Sequence, residues 1–291
     1  MILTIDAGNS RIKWALWQND VITESGAALY NRASVSRSLE KVFDSVSRPD
    51  HVYAVSVAGE AVSRAISDEV ARRWQLPTGF LKTQDHYREV RQAYPEPSQH
   101  GADRWAAVVA AHYMFPRAGL CVIGAGTAIT LDFIEAGGRH RGGYILPSPA
   151  SMWRALTADT ANVVSEAEPV VGITDSGNPV LQRIPDNTRD GVSAGIQLAV
   201  LAGIREMCRN GLAETCAGSS QTGDSNDEAD RAIEKKIIIS GGLAQSMQQY
   251  ESHWREGWPD MPEIIYCPDI VMQGLYRIMT QPDTGNGRAG R

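Results

Sequence analysis

Ile2-Leu3-Thr4-Ile5-Asp6-Ala7-Gly8-Asn9-Ser10-Arg11-Ile12-Lys13-Trp14-Ala15 opens the chain, and the fold is read outward from it. A short apolar β-run ends on a carboxylate, turns at Gly8 and Asn9, and re-enters an alternating strand at Arg11. Gly and Asn are the residue types that tolerate positive φ in a tight hairpin. Such a turn leaves backbone N–H groups free, with Asp6 on one side and Lys13 on the other. That pattern describes a phosphate cradle with an acid on the metal side and a cationic clamp. It describes equally well an ordinary hairpin with a solvated Asp and Lys, and these residues alone do not separate the two.

The pattern continues as strands over Arg11–Gln18, Val21–Ser25 and His51–Val57, with helices over Val35–Val46 and Glu60–Trp74. Val62, Ile66, Val70 and Trp74 form an i, i+4 stripe that reads as core. A proline-bearing loop, Tyr94-Pro95-Glu96-Pro97, leads to a helix from Ala102 to about Phe115. Then the layout restarts. Leu120–Ile123, a Gly124-Ala125-Gly126 turn, Thr127–Ile134, a Gly137-Gly138 turn and His140–Leu146 repeat the strand–turn–strand order of the beginning. Two similar α/β halves place a ligand in the cleft between them. The boundary falls near Pro116–Gly119, giving units 1–117 and 118–280 and a fraying tail, 281–291. Further helices are expected over Pro149–Thr157, Thr188–Met207 and Gln245–Gly257. The Gly-, Ser- and Asp-rich stretch Ala217–Asp230 reads as a flexible surface loop.

Composition narrows the classes. The chain has 291 residues, 43% hydrophobic and 21% charged, with a formal net charge of -6. It is large enough for two ordinary domains with proper cores. Its acidity argues against nucleic acid or an anionic membrane as the main partner. Cys121, Cys208, Cys216 and Cys267 lack paired spacing, which argues against a disulfide framework or zinc site and for a reducing cytoplasm. No secretory apolar core opens the chain, and no stretch approaches the roughly 18 apolar residues of a membrane span.

Four further stretches could carry chemistry. In Gly101-Ala102-Asp103-Arg104-Trp105, Asp103 is either a first-turn acid favoured by the helix dipole or a general base, and Arg104 is either solvated or an anion binder. Gly124-Ala125-Gly126-Thr127-Ala128 is either a hairpin turn or a second phosphate contact. The apolar strand Ile237-Ile238-Ile239 ending in Ser240-Gly241-Gly242 is either a helix-entry turn or a backbone shelf for a nucleotide. His140, beside Gly142-Gly143, has no nucleophile or metal ligand spaced to partner it and reads as structural. There is no G-x-x-x-x-G-K-[ST] loop and no G-x-S-x-G elbow.

Taken in order, these segments resemble one family, the type III pantothenate kinases of the actin, sugar-kinase and heat-shock-chaperone superfamily. The resemblance rests on Asp6-x-Gly8-Asn9-Ser10-x-x-Lys13, Gly101-Ala102-Asp103-Arg104-Trp105, Gly126-Thr127-Ala128-x-Thr130-x-Asp132 and His140-x-Gly142-Gly143-Tyr144-Ile145-x-Pro147. It continues through Asn187-Thr188, Ser240-Gly241-Gly242 and Pro268-Asp269-Ile270-x-x-x-Gly274-Leu275. It implies two duplicated ribonuclease-H-like, actin-like α/β domains with mixed sheets flanked by helices. It also implies ATP-dependent phosphorylation of pantothenate to 4'-phosphopantothenate, the entry step of coenzyme A synthesis, by a cytoplasmic homodimer. By position, Asp6, Ala7, Gly8, Asn9, Ser10, Arg11, Ile12 and Lys13 form the ATP phosphate loop, and Asp6 orients Mg²⁺ through water. Asp103 accepts the proton of the pantothenate hydroxyl. Tyr94, Gly101, Ala102 and Arg104 line the pantothenate site, and Thr188 reaches it across the dimer interface. Thr127, Gly241 and Gly242 contact the nucleotide.

One position departs from the family pattern. Gly124 stands where the family has an Asp that helps hold an activating monovalent cation, K⁺ or NH₄⁺. Asp132, eight residues further along the strand at roughly 3.3 Å each, lies too far to substitute. Two smaller departures are Ser148, where the family prefers Gly, and Gly191 in the Thr188 helix. The alternative reading is a weakened or inactive homologue that binds pantothenate or nucleotide as a regulatory protein. A different kinase or a phosphatase of the superfamily is disfavoured by Tyr94 and Gly101–Trp105, which match the pantothenate end of the pattern.

Overall fold

The computed structural model describes residues 1–31, 34–159, 184–217 and 233–283. The expected surface loop at 217–230 falls outside them after its first residue, as does the tail from residue 284.

The opening residues build the expected hairpin. β1 (Ile2–Ala7) pairs antiparallel with β2 (Arg11–Gln18), and β2 with β3 (Val21–Leu29). On the other side of β1, β4 (His51–Ser56) and then β5 (Thr78–Phe80) add in parallel, giving the order β3-β2-β1-β4-β5. β3 runs past the expected Ser25 because it stays paired to β2 as far as Leu29 opposite Arg11. α1 (Val35–Phe43) and α2 (Glu60–Trp74) cover one face. There Leu3, Ile5 and Ala7 meet Leu39 and Phe43 of α1 and the Val62, Ile66, Val70, Trp74 stripe of α2 in a single core. Each of the Val, Leu, Ile and Phe side chains among them contributes about 1.5–3 kcal/mol by leaving water. The pleat turns Thr4 and Asp6 to the opposite face. Thr4 is buried there, and its hydroxyl accepts from Trp17 Nε1 at 2.8 Å and donates to the Ala15 carbonyl at 3.2 Å. A two-residue pair, β6 (His86–Tyr87) with β7 (Val90–Arg91), was not legible in the sequence. α3 (Ala102–Met114) follows, buried along its length from Arg104 to His112.

The pattern then repeats. β8 (Gly119–Ala125), β9 (Ala128–Ile134) and β10 (His140–Pro147) form an antiparallel run. α4 (Pro149–Asp159) and α5 (Thr188–Ala217) precede β11 (Lys235–Ser240), which pairs parallel with β8. Next come α6 (Ala244–Gln248), α7 (Glu251–Glu256) and β12 (Glu263–Tyr266). The order β10-β9-β8-β11-β12 reproduces that of the first sheet, so the duplication is structural. α5 outruns its expected end at Met207 because Leu201, Ile204, Cys208 and Leu212 keep the helical spacing into the core. The single helix expected over Gln245–Gly257 is two. The Tyr250 N–H bonds three residues back to the Met247 carbonyl at 3.0 Å, which tightens the chain while Met247, Tyr250 and Trp254 stay buried together. Cys121 and Cys208 are buried free thiols with sulfurs 3.5 Å apart, and burial pushes the Cys121 thiol well above its ordinary range. No helix among the described residues is long and apolar enough to cross a membrane.

The last helix corrects the expected domain limits. α8 (Ile270–Thr280) belongs to the first compact unit, residues 1–114 with 269–291, while residues 115–268 form the second. Met272 and Tyr276 pack on Ala15 and Trp17, with the Trp17 and Tyr276 rings stacked at 4.3 Å. The apolar surface of Ala15 and Trp17, with α3 beside it, gives this helix its seat, which outweighs nearness in sequence. α8 also crosses α3 closely. A Cβ at Gly274 would fall on the Ala106 carbonyl, so only glycine lets the two backbones touch. Gly274→Ala is therefore expected to cost about 3 kcal/mol of stability, read from the denaturant midpoint. An unchanged midpoint would show that the crossing can loosen freely.

Candidate active site

Asp6 and Lys13 sit directly opposite each other on β1 and β2, both half-buried, on the face that α8 covers further along. The connection runs from Gly8 to Arg11 and is closed by the Gly8 N–H donating to the Arg11 carbonyl at 3.0 Å. This corrects two expectations. Gly8 and Asn9 do not have positive φ, which occurs instead at Asn19 and Asp20 in the next turn, because the longer connection needs no left-handed residue. The Gly8 amide is also not free. The end of β3 braces the turn from behind: Tyr30 Oη donates to the Gly8 carbonyl at 2.7 Å, and the Tyr30 N–H to the Ser10 carbonyl at 3.3 Å. Asn9, Ser10 and Arg11 are exposed, whereas Ala7 and Ile12 are buried in the core.

Asp103 lies in the first turn of α3, half-buried rather than lost in packing. Its Oδ1 accepts the Arg104 N–H at 2.8 Å and folds over Gly101, where a Cβ would stand 2.7 Å from that oxygen. Glycine at 101 thus leaves the carboxylate its place. Arg104 is buried, against the solvated reading. Its guanidinium carbon lies 5.9 Å from the centre of the Tyr94 ring, and Nη2 approaches the Tyr94 hydroxyl at 3.5 Å. Tyr94, Gly101, Ala102, Asp103 and Arg104 are therefore one group. His100 and Gln92, which hold Tyr94, were missed because neither belongs to a motif; a buried histidine directly before Gly101 was the available signal.

Electrostatics tie this group to β1. Burial pushes the Asp6 carboxyl up to about 7; Lys13 opposes the shift and Asp103 adds to it. Two carboxylates close enough to repel, in a desolvated spot beside a cation, form a hard-oxygen donor set suited to a divalent ion.

In the second unit, Thr127 is exposed in the turn between β8 and β9, where the Gly126 N–H donates to the Ala128 carbonyl at 3.0 Å. Gly241, at φ 103°, and Gly242 leave β11 beside it, and the Leu243 N–H donates to the Ala125 carbonyl at 3.0 Å. These three residues share the carboxyl ends of parallel strands. Ser148 caps α4 by accepting the Ser151 N–H at 3.2 Å, which accounts for that departure from the pattern. Gly191 lies in the first turn of α5, where a Cβ would meet nothing. Thr188 is exposed at the start of α5, which Asn187 caps through the Asp190 N–H at 3.0 Å. His140 is buried, with Nε2 3.0 Å from Asp132 Oδ1, so the expectation that no metal-ligand type of residue partners it is corrected. Gly124 offers no side-chain donor. It pairs with Thr130 on one side and Ser240 on the other, and a Cβ there would stand 2.7 Å from Thr130 Oγ1. Gly124 itself brings no carboxylate, but the expected distance of Asp132 is corrected: β8 and β9 are a hairpin and not one strand, so Asp132 stands on β9 only two residues from Thr130, the partner of Gly124.

The raised Asp6 carboxyl has a stability consequence. Between its unfolded value, 3.8, and about 7 the native protein binds a proton that the unfolded chain has lost. Stability without metal or nucleotide therefore falls as pH rises through that window. Asp6→Asn removes the term. It is expected to match the parent at pH near 4 and to exceed it by on the order of 1–2 kcal/mol at pH near 8, after allowing for solvent screening. Thermal melts across pH test this; a constant offset would contradict it.

Comparison with known proteins agrees with the geometry. The family model for type III pantothenate kinase matches residues 2–210. The type III pantothenate kinase of Chromobacterium violaceum is 34% identical over 282 residues, 96% of this chain and 99% of that protein. That of Nitrosococcus oceani is 27% identical over 287 residues, 96% and 93% of the two chains. Among solved structures, one from Sinorhizobium meliloti described as a 2-dehydro-3-deoxygalactonokinase matches with TM-score 0.56 at 15% identity, covering 97% and 100% of the chains. One from Campylobacter jejuni described as a Baf family transcriptional activator gives 0.52 at 18%, covering 96% and 97%. At such identities the two structures speak for the fold alone. The chain belongs to the type III pantothenate kinase family.

Proposed function

We propose that this chain transfers the γ-phosphoryl group of ATP to the primary hydroxyl of pantothenate, giving 4'-phosphopantothenate and ADP at the entry to coenzyme A synthesis. The observation that carries the reading is Asp103, half-buried beside Asp6 and flanked by Tyr94 and buried Arg104, in a chain of this family.

Phosphoryl transfer asks the protein mainly for position and charge neutralisation. Asp103 takes the hydroxyl proton as the oxygen attacks the γ-phosphorus and the bond to the β,γ-bridging oxygen breaks. Arg104 pairs with the pantothenate carboxylate, and Tyr94, Gly101 and Ala102 shape the pocket around it. The residues from Ala7 to Ile12 carry the phosphate turn, and Lys13 neutralises the phosphates beside it. Asp6 suits Mg²⁺ held through water, because its ionised form is otherwise disfavoured. When bound, that ion supplies charge neutralisation at the β- and γ-phosphates. Thr127, Gly241 and Gly242 serve the nucleotide end. No step is assigned to a monovalent cation, since position 124 provides no carboxylate.

The reading extends to a cytoplasmic homodimer in which Thr188 reaches the partner's pantothenate. Exposed Tyr144 and Ile145 on β10 and Leu198 on α5 support an apolar surface for a second copy.

Purified protein should form ADP from ATP only when pantothenate is present. Asp103→Asn should lower kcat by about 10²–10⁴-fold with pantothenate binding nearly intact. Full turnover in that variant would remove Asp103 from the chemistry. Replacing K⁺ by Na⁺ or choline should change the rate by less than about threefold, under 1 kcal/mol of barrier. A collapse without K⁺ would place a cation site elsewhere.

A further inference from the structure

His100 is buried directly before Gly101, and its surroundings fix it more tightly than packing alone requires. Its carbonyl accepts from Thr83 Oγ1 at 2.7 Å, and Gln92 Nε2 lies 2.8 Å from its Nδ1. The Gln92 amide is itself oriented. Its Oε1 accepts the backbone N–H groups of Ala93 at 3.0 Å and Tyr94 at 3.5 Å. Backbone N–H groups can only donate, so the atom facing them is the oxygen and the one facing His100 is the NH₂. His100 Nδ1 therefore accepts, and its ring proton sits on Nε2.

This fixed ring is stacked on Tyr94, with centroids 5.0 Å apart and planes within 2°. Trp105, in the first turn of α3, meets the imidazole edge-on at 6.5 Å. Tyr94 in turn lies beside the Arg104 guanidinium. The chain of contacts runs from the loop before α3, through Gln92, His100 and Tyr94, to the cation that faces the acceptor. Of its members, His100 and Arg104 stand within three residues of Asp103, and Gln92 and Tyr94 lie on the loop before them.

We propose that His100, held by Gln92, is a positioning residue for acceptor recognition: through Tyr94 it sets the Arg104 guanidinium to meet the acceptor's carboxylate. The proposal rests on the pantothenate reading above. His100 acts on binding, not on the phosphoryl-transfer step.

Steady-state kinetics of the full chain, with ATP and either pantothenate or its carboxylate-free alcohol analogue, test it. His100→Phe keeps an aromatic ring but removes the acceptor for Gln92. It is expected to raise KM for pantothenate about tenfold, the scale of one lost oriented hydrogen bond, and to leave kcat and KM for ATP within about twofold. KM for the alcohol analogue should move by less than about twofold, because that molecule has nothing for Arg104 to hold. Gln92→Leu should reproduce the same selective shift, about threefold, and decides the matter if His100→Phe fails to fold. An equal rise for both acceptors, a fall in kcat at unchanged KM, or no change would overturn the proposal and leave His100 a packing residue. A parent enzyme that makes no ADP with pantothenate would overturn the underlying function before either variant is compared.

Discussion

A carboxylate withdrawn from water beside another carboxylate is a costly arrangement, and the first unit is organised around holding it. Asp6 is placed by a strand buried on both faces, whose neighbours Ile5 and Ala7 anchor it in the core. Lys13 offsets part of the charge from directly across the ladder. Asp103 adds to the repulsion from the start of α3. Such repulsion is eased by positive charge, as the lowering effect of Lys13 on the Asp6 carboxyl already shows.

The rest of the unit keeps these groups from drifting apart. α3 is clamped by α8, and the clamp works because Gly274 gives way to the Ala106 carbonyl. α8 is pinned to the sheet by the Trp17–Tyr276 stack, and the Tyr276 hydroxyl donates to Asp20 at 2.7 Å. Tyr87 Oη donates to the Gln281 carbonyl at 2.7 Å at the far end of the same helix. A motif glycine more than 160 residues from Asp103 in sequence thus serves the first-turn carboxylate by permitting close backbone approach.

Much of this was legible in the chain. The hairpin, the α2 stripe, the start of α3 and the repeated strand order follow from local periodicity, which registers burial on a near neighbour. The grouping of Tyr94 with Gly101–Arg104 came with the family pattern. The φ values at Gly8 and Asn9 were misread because residue type suggested a tighter turn than the Gly8–Arg11 hydrogen bond encloses. The place of α8 was missed because its apolar face suits either sheet, and only the fit of Met272 and Tyr276 on Ala15 and Trp17 says which. The roles of Gln92 and His100 depend on side-chain direction and stacking, which no spacing encodes.

The return of residues 270–280 to the first unit bears on how the protein is made. Residues 115–268 are continuous in sequence and carry their own sheet. The first unit joins two separate stretches, and the Ala15 and Trp17 side of its sheet gains Met272 and Tyr276 only after residues 115–268 have been made. Vectorial synthesis thus favours the second unit, whose residues are made together, over the first, whose parts are separated by it.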